Sequence, residues 1–162
     1  MKKKNTSVGE MTRPTWNELF VETTLLFAQR SSCLKAQQAA LLIKDNRIIS
    51  FGVNGSPAGH INCNEYSEEI CGKDSNGSCF LGIHAEANAI GYAARNGIAT
   101  DGCIMYCTMT PCIACAKLVT AAGIKEFYYI ERYRLDDGIK FLEQSHVRIQ
   151  KVLNGTKRKS FR

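Results

Sequence analysis

No run of apolar residues in this 162-residue chain is long enough to cross a bilayer, so a helical membrane span is not expected. Nor does an apolar stretch follow the basic start Met1-Lys2-Lys3-Lys4. Residues 5–17 are mostly polar, and a secretory signal is not expected either. The chain has no internal repeat and no low-complexity linker, which leaves one compact domain as the expectation for this length. Proline and histidine are scarce, with three of each, so the place of each one carries information.

Cysteine, by contrast, is plentiful. There are eight: Cys33, Cys63, Cys71, Cys79, Cys103, Cys107, Cys112 and Cys115. Without a secretory signal they point away from a disulfide framework and towards metal ligation or buried thiols. The balance of 44% apolar and 22% charged residues is that of a soluble globular domain and names no function class. The formal charge of +6 hints at an anionic partner. However, Lys2 to Lys4 and the run from Lys157 to Arg162 sit at the ends and read as solvated tails. The expected layout is a disordered tail over residues 1–13, a domain over 14–152 and a basic tail over 153–162.

Pro14 is placed to open a helix in which Trp16, Leu19, Phe20, Thr23, Leu26 and Phe27 recur at helical spacing. Residues 39–43 and 47–53 flank a polar turn and read as a hairpin. Residues 54–82 are rich in Gly, Asn, Ser and Cys and show no period; so long a loop in a compact domain is usually functional or held by something else. An Ala-rich helix over 84–96, a strand over 102–108 and a helix over 112–122 closed by Gly123 follow. A buried strand over 125–130, a helix over 135–145 and a short strand over 146–150 complete the pattern. This alternation predicts a layered α/β domain with a partly parallel sheet.

Two stretches carry chemistry. In "GIHAEANAI", His84 and Glu86 begin a helix; in "TPCIACAKL", Pro111 sets up a helix that starts with Cys112 and Cys115. Thiolates at a helix N-terminus gain from its positive dipole end. One His and two Cys give zinc three protein ligands and leave the fourth tetrahedral position for water, whose pKa then falls to about 7. Glu86 lies two residues beyond the His ligand, beside the metal, as a proton carrier. Either half alone is common, since a lone C-x-x-C also serves redox or structural zinc. Together they reproduce the H-x-E…P-C-x-x-C order of the zinc deaminases.

The stretches "SSCLKAQQAALLIKDNRIISFGVNGSPAGHINCNE", "HAEANAI", "CTMTPCIACAKLVTAAGIKEFYY" and "ERYR" resemble the deoxycytidylate (dCMP) deaminases of bacteria and bacteriophages over residues 16–152. The resemblance implies a cytidine-deaminase-like three-layer α-β-α sandwich around a five-stranded mixed sheet. It also implies conversion of dCMP to dUMP for thymidylate synthesis, and a homohexamer activated by dCTP and inhibited by dTTP. By the same resemblance Asn54 contacts the deoxyribose, Ala85 lies against the substrate, and Lys35, Tyr133 and Arg134 gather around the 5′-phosphate. Plain surface charges remain the alternative for Lys35 and Arg134, and a packing role for Tyr133. The allosteric nucleotide, with Mg2+, is expected on Asn54, Gly55, Ser56, Pro57 and Gly59, with Asn62 and Glu65 nearby; a turn without ligand is the alternative.

Some relatives hold a second, structural zinc. Cys33 and Cys63 match two of its ligands directly, and Cys71 and Cys79 would complete a four-cysteine site, with free thiols as the alternative. Cys103 and Cys107 read as small hydrophobes on a core strand, and His60 and His146 as loop or surface residues. The sequence departs from the family at Gln38-Ala39-Ala40, where Val-Gly-Ala is usual, and at Val53, where Tyr is usual. The expected address is the cytoplasm, or the host cytoplasm for a phage-encoded chain. Competing readings are a deaminase of free cytosine, guanine or tRNA adenosine, and a zinc-stabilised nucleic-acid-binding module. The Tyr133-Arg134 pair argues against the first and Glu86 against the second.

Overall fold

The computed structural model describes residues 13–65, 75 and 79–152. Most of both expected tails, and Cys71, lie outside the described residues. Helix α1 spans Trp16–Ala28. Strands β1 (Ala39–Lys44) and β2 (Arg47–Val53) follow, then helix α2 (Ala85–Arg95), strand β3 (Ile104–Met109) and helix α3 (Ile113–Ala121). Strand β4 (Glu126–Glu131), helix α4 (Asp137–Gln144) and strand β5 (Arg148–Lys151) complete the order.

Local chemistry explains the first elements. The helix α1 cap is Thr15, whose side chain accepts from the Glu18 amide while Glu18 reaches back to the Thr15 amide. This reciprocal pair satisfies two amides that a helix start leaves unpaired. Pro14, expected to open the helix, lies two residues outside it, before the Thr15 cap. In the β1–β2 hairpin, Asp45 and Asn46 both take left-handed backbone angles, φ 50 and 57. Two such residues form the tight turn whose twist matches the strands, and Asp and Asn tolerate it well.

The sheet order is β2-β1-β3-β4-β5. Strand β1 pairs antiparallel with β2 and β3, whereas β3, β4 and β5 run parallel. The central strands are buried on both faces, as their continuous apolar runs require. Ala40, Leu42, Met105, Cys107, Phe127 and Tyr129 pack with α2, α3 and Leu142 of α4. Leu41, Ile43, Tyr106 and Tyr128 pack on the other side with Phe20 and Val21 of α1. The result is the expected three-layer sandwich with a five-stranded mixed sheet. Cys103 and Cys107 are buried, and His60 and His146 are exposed, in keeping with their sequence reading. Among the described residues no helix is long and apolar enough to cross a membrane.

Two close approaches position the site. A side chain at Gly52 of β2 would put its Cβ 2.3 Å from the Ala85 carbonyl oxygen and 2.4 Å from the Ala89 amide. The absent side chain lets the start of α2 lie directly on β2. Ser50 Oγ donates to the Ala89 carbonyl (2.7 Å) and Asn88 Nδ2 to the Val53 carbonyl (2.9 Å), which fixes that contact.

Candidate active site

The two metal-binding stretches arrive from different helices. His84 is the N-cap of α2 and Cys112 the N-cap of α3, each one residue outside the helix, and Cys115 lies in the first turn of α3. Neither His84 nor Cys112 makes a side-chain cap hydrogen bond, although this position favours residues that do. Their side chains turn to each other instead. Cys112 Sγ is 3.5 Å and Cys115 Sγ 3.4 Å from His84 Nδ1. On a tetrahedral zinc with Zn–N and Zn–S bonds of about 2.05 and 2.3 Å, such atoms lie about 3.6 Å apart. The donor set, its spacing and the two helix N-termini all fit zinc. Among the described residues this is the one cluster of three or more His, Cys, Asp or Glu able to hold a metal.

Hydrogen bonding within the cluster sets its protonation. The Cys115 thiol donates to Cys112, pushing the Cys112 thiol down to about 4 and the Cys115 thiol up. The hydrogen bond to Cys112 raises His84. Glu86 is 7% exposed, and burial raises its carboxyl. It lines the same cavity as His84 and Cys112 without joining the His84-Cys112-Cys115 cluster.

A cavity of about 290 Å³ opens on this cluster. Its walls include His84, Ala85, Glu86 and Cys112, and also Lys35, Asn54, Tyr133 and Arg134. Every substrate residue expected from the sequence thus meets the metal site in one space. Lys35 and Arg134 are exposed at its edge. Arg134 Nε donates to the Tyr133 hydroxyl (3.2 Å), and its guanidinium lies 5.6 Å from that ring's centroid. The Tyr133 amide donates to buried Thr110 Oγ (2.7 Å), which fastens the Tyr133-Arg134 turn to the end of β3.

Asn54 does more than the sequence suggested. Its Oδ1 accepts from the Gln38 amide (2.8 Å) and Ser31 Oγ (2.6 Å), and its Nδ2 donates to the Ala36 carbonyl (2.8 Å). The side chain thereby staples the Lys35 loop to the end of β2 and keeps one N–H for a ligand. Gln38, Thr110, Met109 and Cys79 also line the cavity and were not singled out as substrate contacts. Gln38 had a signal in the sequence, a polar residue opening an otherwise apolar strand. A wider cavity of about 600 Å³ shares His84, Cys112, Tyr133 and Arg134 with the first and extends over Cys115, Ile113, Leu118 and Leu135.

The loop after β2 carries the expected allosteric residues. Gly55 pairs with Ile83 in an isolated antiparallel bridge (N···O 3.2 and 2.9 Å), directly before His84. Ser56 Oγ lies 3.2 Å from Cys63 Sγ, and Asn62 Nδ2 donates to Glu65 Oε1 (2.9 Å) in a short 3-10 turn. Gly59 takes φ 87, and the Pro57 carbonyl accepts from the His60 amide (3.0 Å). Apart from Asn54, none of these residues lines either cavity. Among the described cysteines, Cys33, Cys63 and Cys79 do not themselves form a metal-holding group. Cys79 instead accepts from the Gly82 amide (3.3 Å) and lies in the wall of the His84 cavity.

A mixed sheet with two helix starts converging on one His-Cys-Cys position, and a buried carboxylate beside it, is the arrangement of a deaminase with a zinc-binding region. Residues 14–131 match the model of the cytidine and deoxycytidylate deaminase zinc-binding region, and the chain belongs to that family. It is 38% identical over 139 residues to the deoxycytidylate deaminase of Schizosaccharomyces pombe, covering 82% of this chain but only 42% of that longer protein. It is 35% identical over 126 residues to the deoxycytidylate deaminase of Mycobacterium phage D29, covering 74% of this chain and 97% of that one. The crystal structure of the dCMP deaminase of cyanophage S-TIM5 with dCMP and dUMP superposes with a TM-score of 0.75 at 35% identity. That match covers 87% of this chain and 99% of the cyanophage protein.

Proposed function

We propose that this chain converts dCMP to dUMP and ammonia and so supplies dUMP for thymidylate synthesis. One observation carries the reading: Glu86 and the ligand residues His84 and Cys112 share a single cavity with two exposed cations, Lys35 and Arg134. A free base or nucleoside would leave those cations without a partner, whereas a 5′-phosphate takes both. The relative from cyanophage S-TIM5, crystallised with dCMP and dUMP, supports the same substrate.

His84, Cys112 and Cys115 would hold zinc, which when bound would supply a Lewis acid able to lower the pKa of water to about 7. The chain's own residues do the rest. Glu86 takes one proton from the attacking water and gives it to ring N3 as oxygen bonds to C4. It then carries the second proton to the C4 amino group, the C4–N bond breaks, and ammonia leaves. Burial raises the Glu86 carboxyl, which favours a group that must accept and release protons near neutral pH. Asn54 offers its remaining N–H to the deoxyribose, and Ala85 lines the cavity beside Glu86.

The regulatory reading is that dCTP with Mg2+ activates, and dTTP inhibits, through Asn54, Gly55, Ser56, Pro57, Gly59, Asn62 and Glu65. The Gly55–Ile83 bridge supports it, because a ligand on that loop would pull on the residue before His84. We assign Cys33, Cys63, Cys71 and Cys79 to a structural zinc that would brace the long loop, with Cys63 already buried. A cytoplasmic homohexamer completes the reading. Ammonia release across dCMP, dCTP, deoxycytidine and cytosine, with and without dCTP and dTTP, is the test. Turnover of deoxycytidine as fast as dCMP removes the phosphate reading, and flat kinetics with both triphosphates removes the regulation.

A further inference from the structure

Gln38 stands directly before β1 and lines the cavity that holds Glu86. Its backbone is fixed on both sides by Asn54: the Gln38 amide donates to Asn54 Oδ1 (2.8 Å), and its carbonyl accepts from the Asn54 amide (3.1 Å). Its side chain is fixed as well. Thr108 Oγ accepts the Ala39 amide proton (3.2 Å) and donates its own to Gln38 Oε1, with the Ala39 carbonyl a longer second acceptor (3.4 Å). The oxygen end of the carboxamide is therefore anchored to β3, which leaves both Nε2 protons available on a residue that lines the cavity. No hydrogen bond to Nε2 exists among the described residues, and Nε2 is not among the buried unsatisfied atoms. It is an open donor on the wall of a half-enclosed site.

We propose that Gln38 is a substrate-recognition residue, its carboxamide N–H donating to an oxygen of the substrate's nucleoside, either ring O2 or sugar O3′. The inference rests on the deaminase reading above. A site with a fixed donor discriminates against an analogue that lacks the acceptor, by about the threefold to tenfold that one uncharged hydrogen bond supplies. Lys35 and Arg134 select the charged end of the substrate; Gln38 senses its neutral part.

The test compares wild type with Gln38→Leu and Gln38→Glu on whichever of dCMP, dCTP, deoxycytidine and cytosine the wild type turns over best. Leucine keeps the bulk and removes the donor. Glutamate also keeps the acceptor for Thr108, so a loss shared by both variants is not a folding defect. Each variant should lose about threefold to tenfold in kcat/KM, the usual effect of one uncharged hydrogen bond. The same comparison is then made on the 2-thio and 3′-deoxy analogues of that substrate. The Gln38→Leu penalty should vanish on one of the two, which identifies the oxygen. An equal penalty on all three compounds, or no penalty on the parent, overturns the inference. Wild-type protein inert towards every cytosine compound overturns the deaminase reading and this one with it. Where only dCMP is inert, the substrate assignment fails while the Gln38 test proceeds on the active compound.

Discussion

Two glycines inside helices should respond to the same substitution with opposite signs. Gly138, in the first turn of α4, is buried against the chain that leads into Cys112. A Cβ there would lie 2.0 Å from the Pro111 carbonyl oxygen, 2.9 Å from its carbon and 3.2 Å from the Cys112 carbonyl carbon. Non-bonded heavy atoms settle near 3.5 Å, so Gly138→Ala demands roughly 1 Å or more of backbone movement. All three neighbours are main chain and cannot rotate aside. Overpacking of this kind costs about 1–3 kcal/mol, and rigid neighbours place it at the upper end. At about 2–4 °C per kcal/mol, Tm should fall by about 5–10 °C. The displaced atoms carry a metal ligand, so zinc affinity, measured by chelator competition, should fall at least about tenfold, or about 1.4 kcal/mol. Gly91, in the middle of α2, has nothing within 4 Å of its would-be Cβ. Gly91→Ala should therefore gain about 0.5–1 kcal/mol, because it only removes unfolded-state freedom and improves helix propensity. Unchanged melting and unchanged zinc affinity in Gly138→Ala would refute the reasoning.

Glu86→Ala should keep zinc at the catalytic position and lose at least about 10²-fold in kcat, measured by ammonia release alongside metal analysis. Activity equal to wild type would remove Glu86 from the mechanism. Arg134→Ala should lower kcat/KM for dCMP by about tenfold to a hundredfold and leave the deoxycytidine rate nearly unchanged. Equal losses on both substrates would make Arg134 a support for the Tyr133 turn. Fully loaded protein should hold two zinc ions per chain, with Cys71→Ser holding one and melting lower. A ratio of one in the wild type would leave the four cysteines as thiols.

The metal-holding cluster was legible because such chemistry demands fixed residue types at fixed spacing: His84, Cys112 and Cys115 come together, and Glu86 shares a cavity wall with His84 and Cys112. The layered fold was legible from alternating apolar runs, but element ends were not. His84 and Cys112 were read as first helical residues and prove to be caps, since a cap is defined by backbone angles that composition does not record. The true start of α1 did have a signal, Thr15 with Glu18 three residues on, which the neighbouring proline obscured. The two-sided engagement of Asn54 was out of reach, because its partners Ser31, Ala36 and Gln38 lie 16 to 23 residues away and meet it only after folding. Cys79 is similar. Within an aperiodic loop, nothing told that it would share a cavity wall with His84.

His84 and Cys112 are 28 residues apart, with all of α2 and β3 between them. An ion that joins them is a covalent-like clip across that length of chain. In the chain-entropy account, closing a loop of this size removes on the order of 3–4 kcal/mol of freedom from the unfolded state, as a disulfide would. The ion thus becomes part of the architecture. Chelators should loosen the packing of α2 against α3 as well as stop turnover, and a chain that folds before metal arrives must rely on the sheet and on α4 to hold the two helix starts in register.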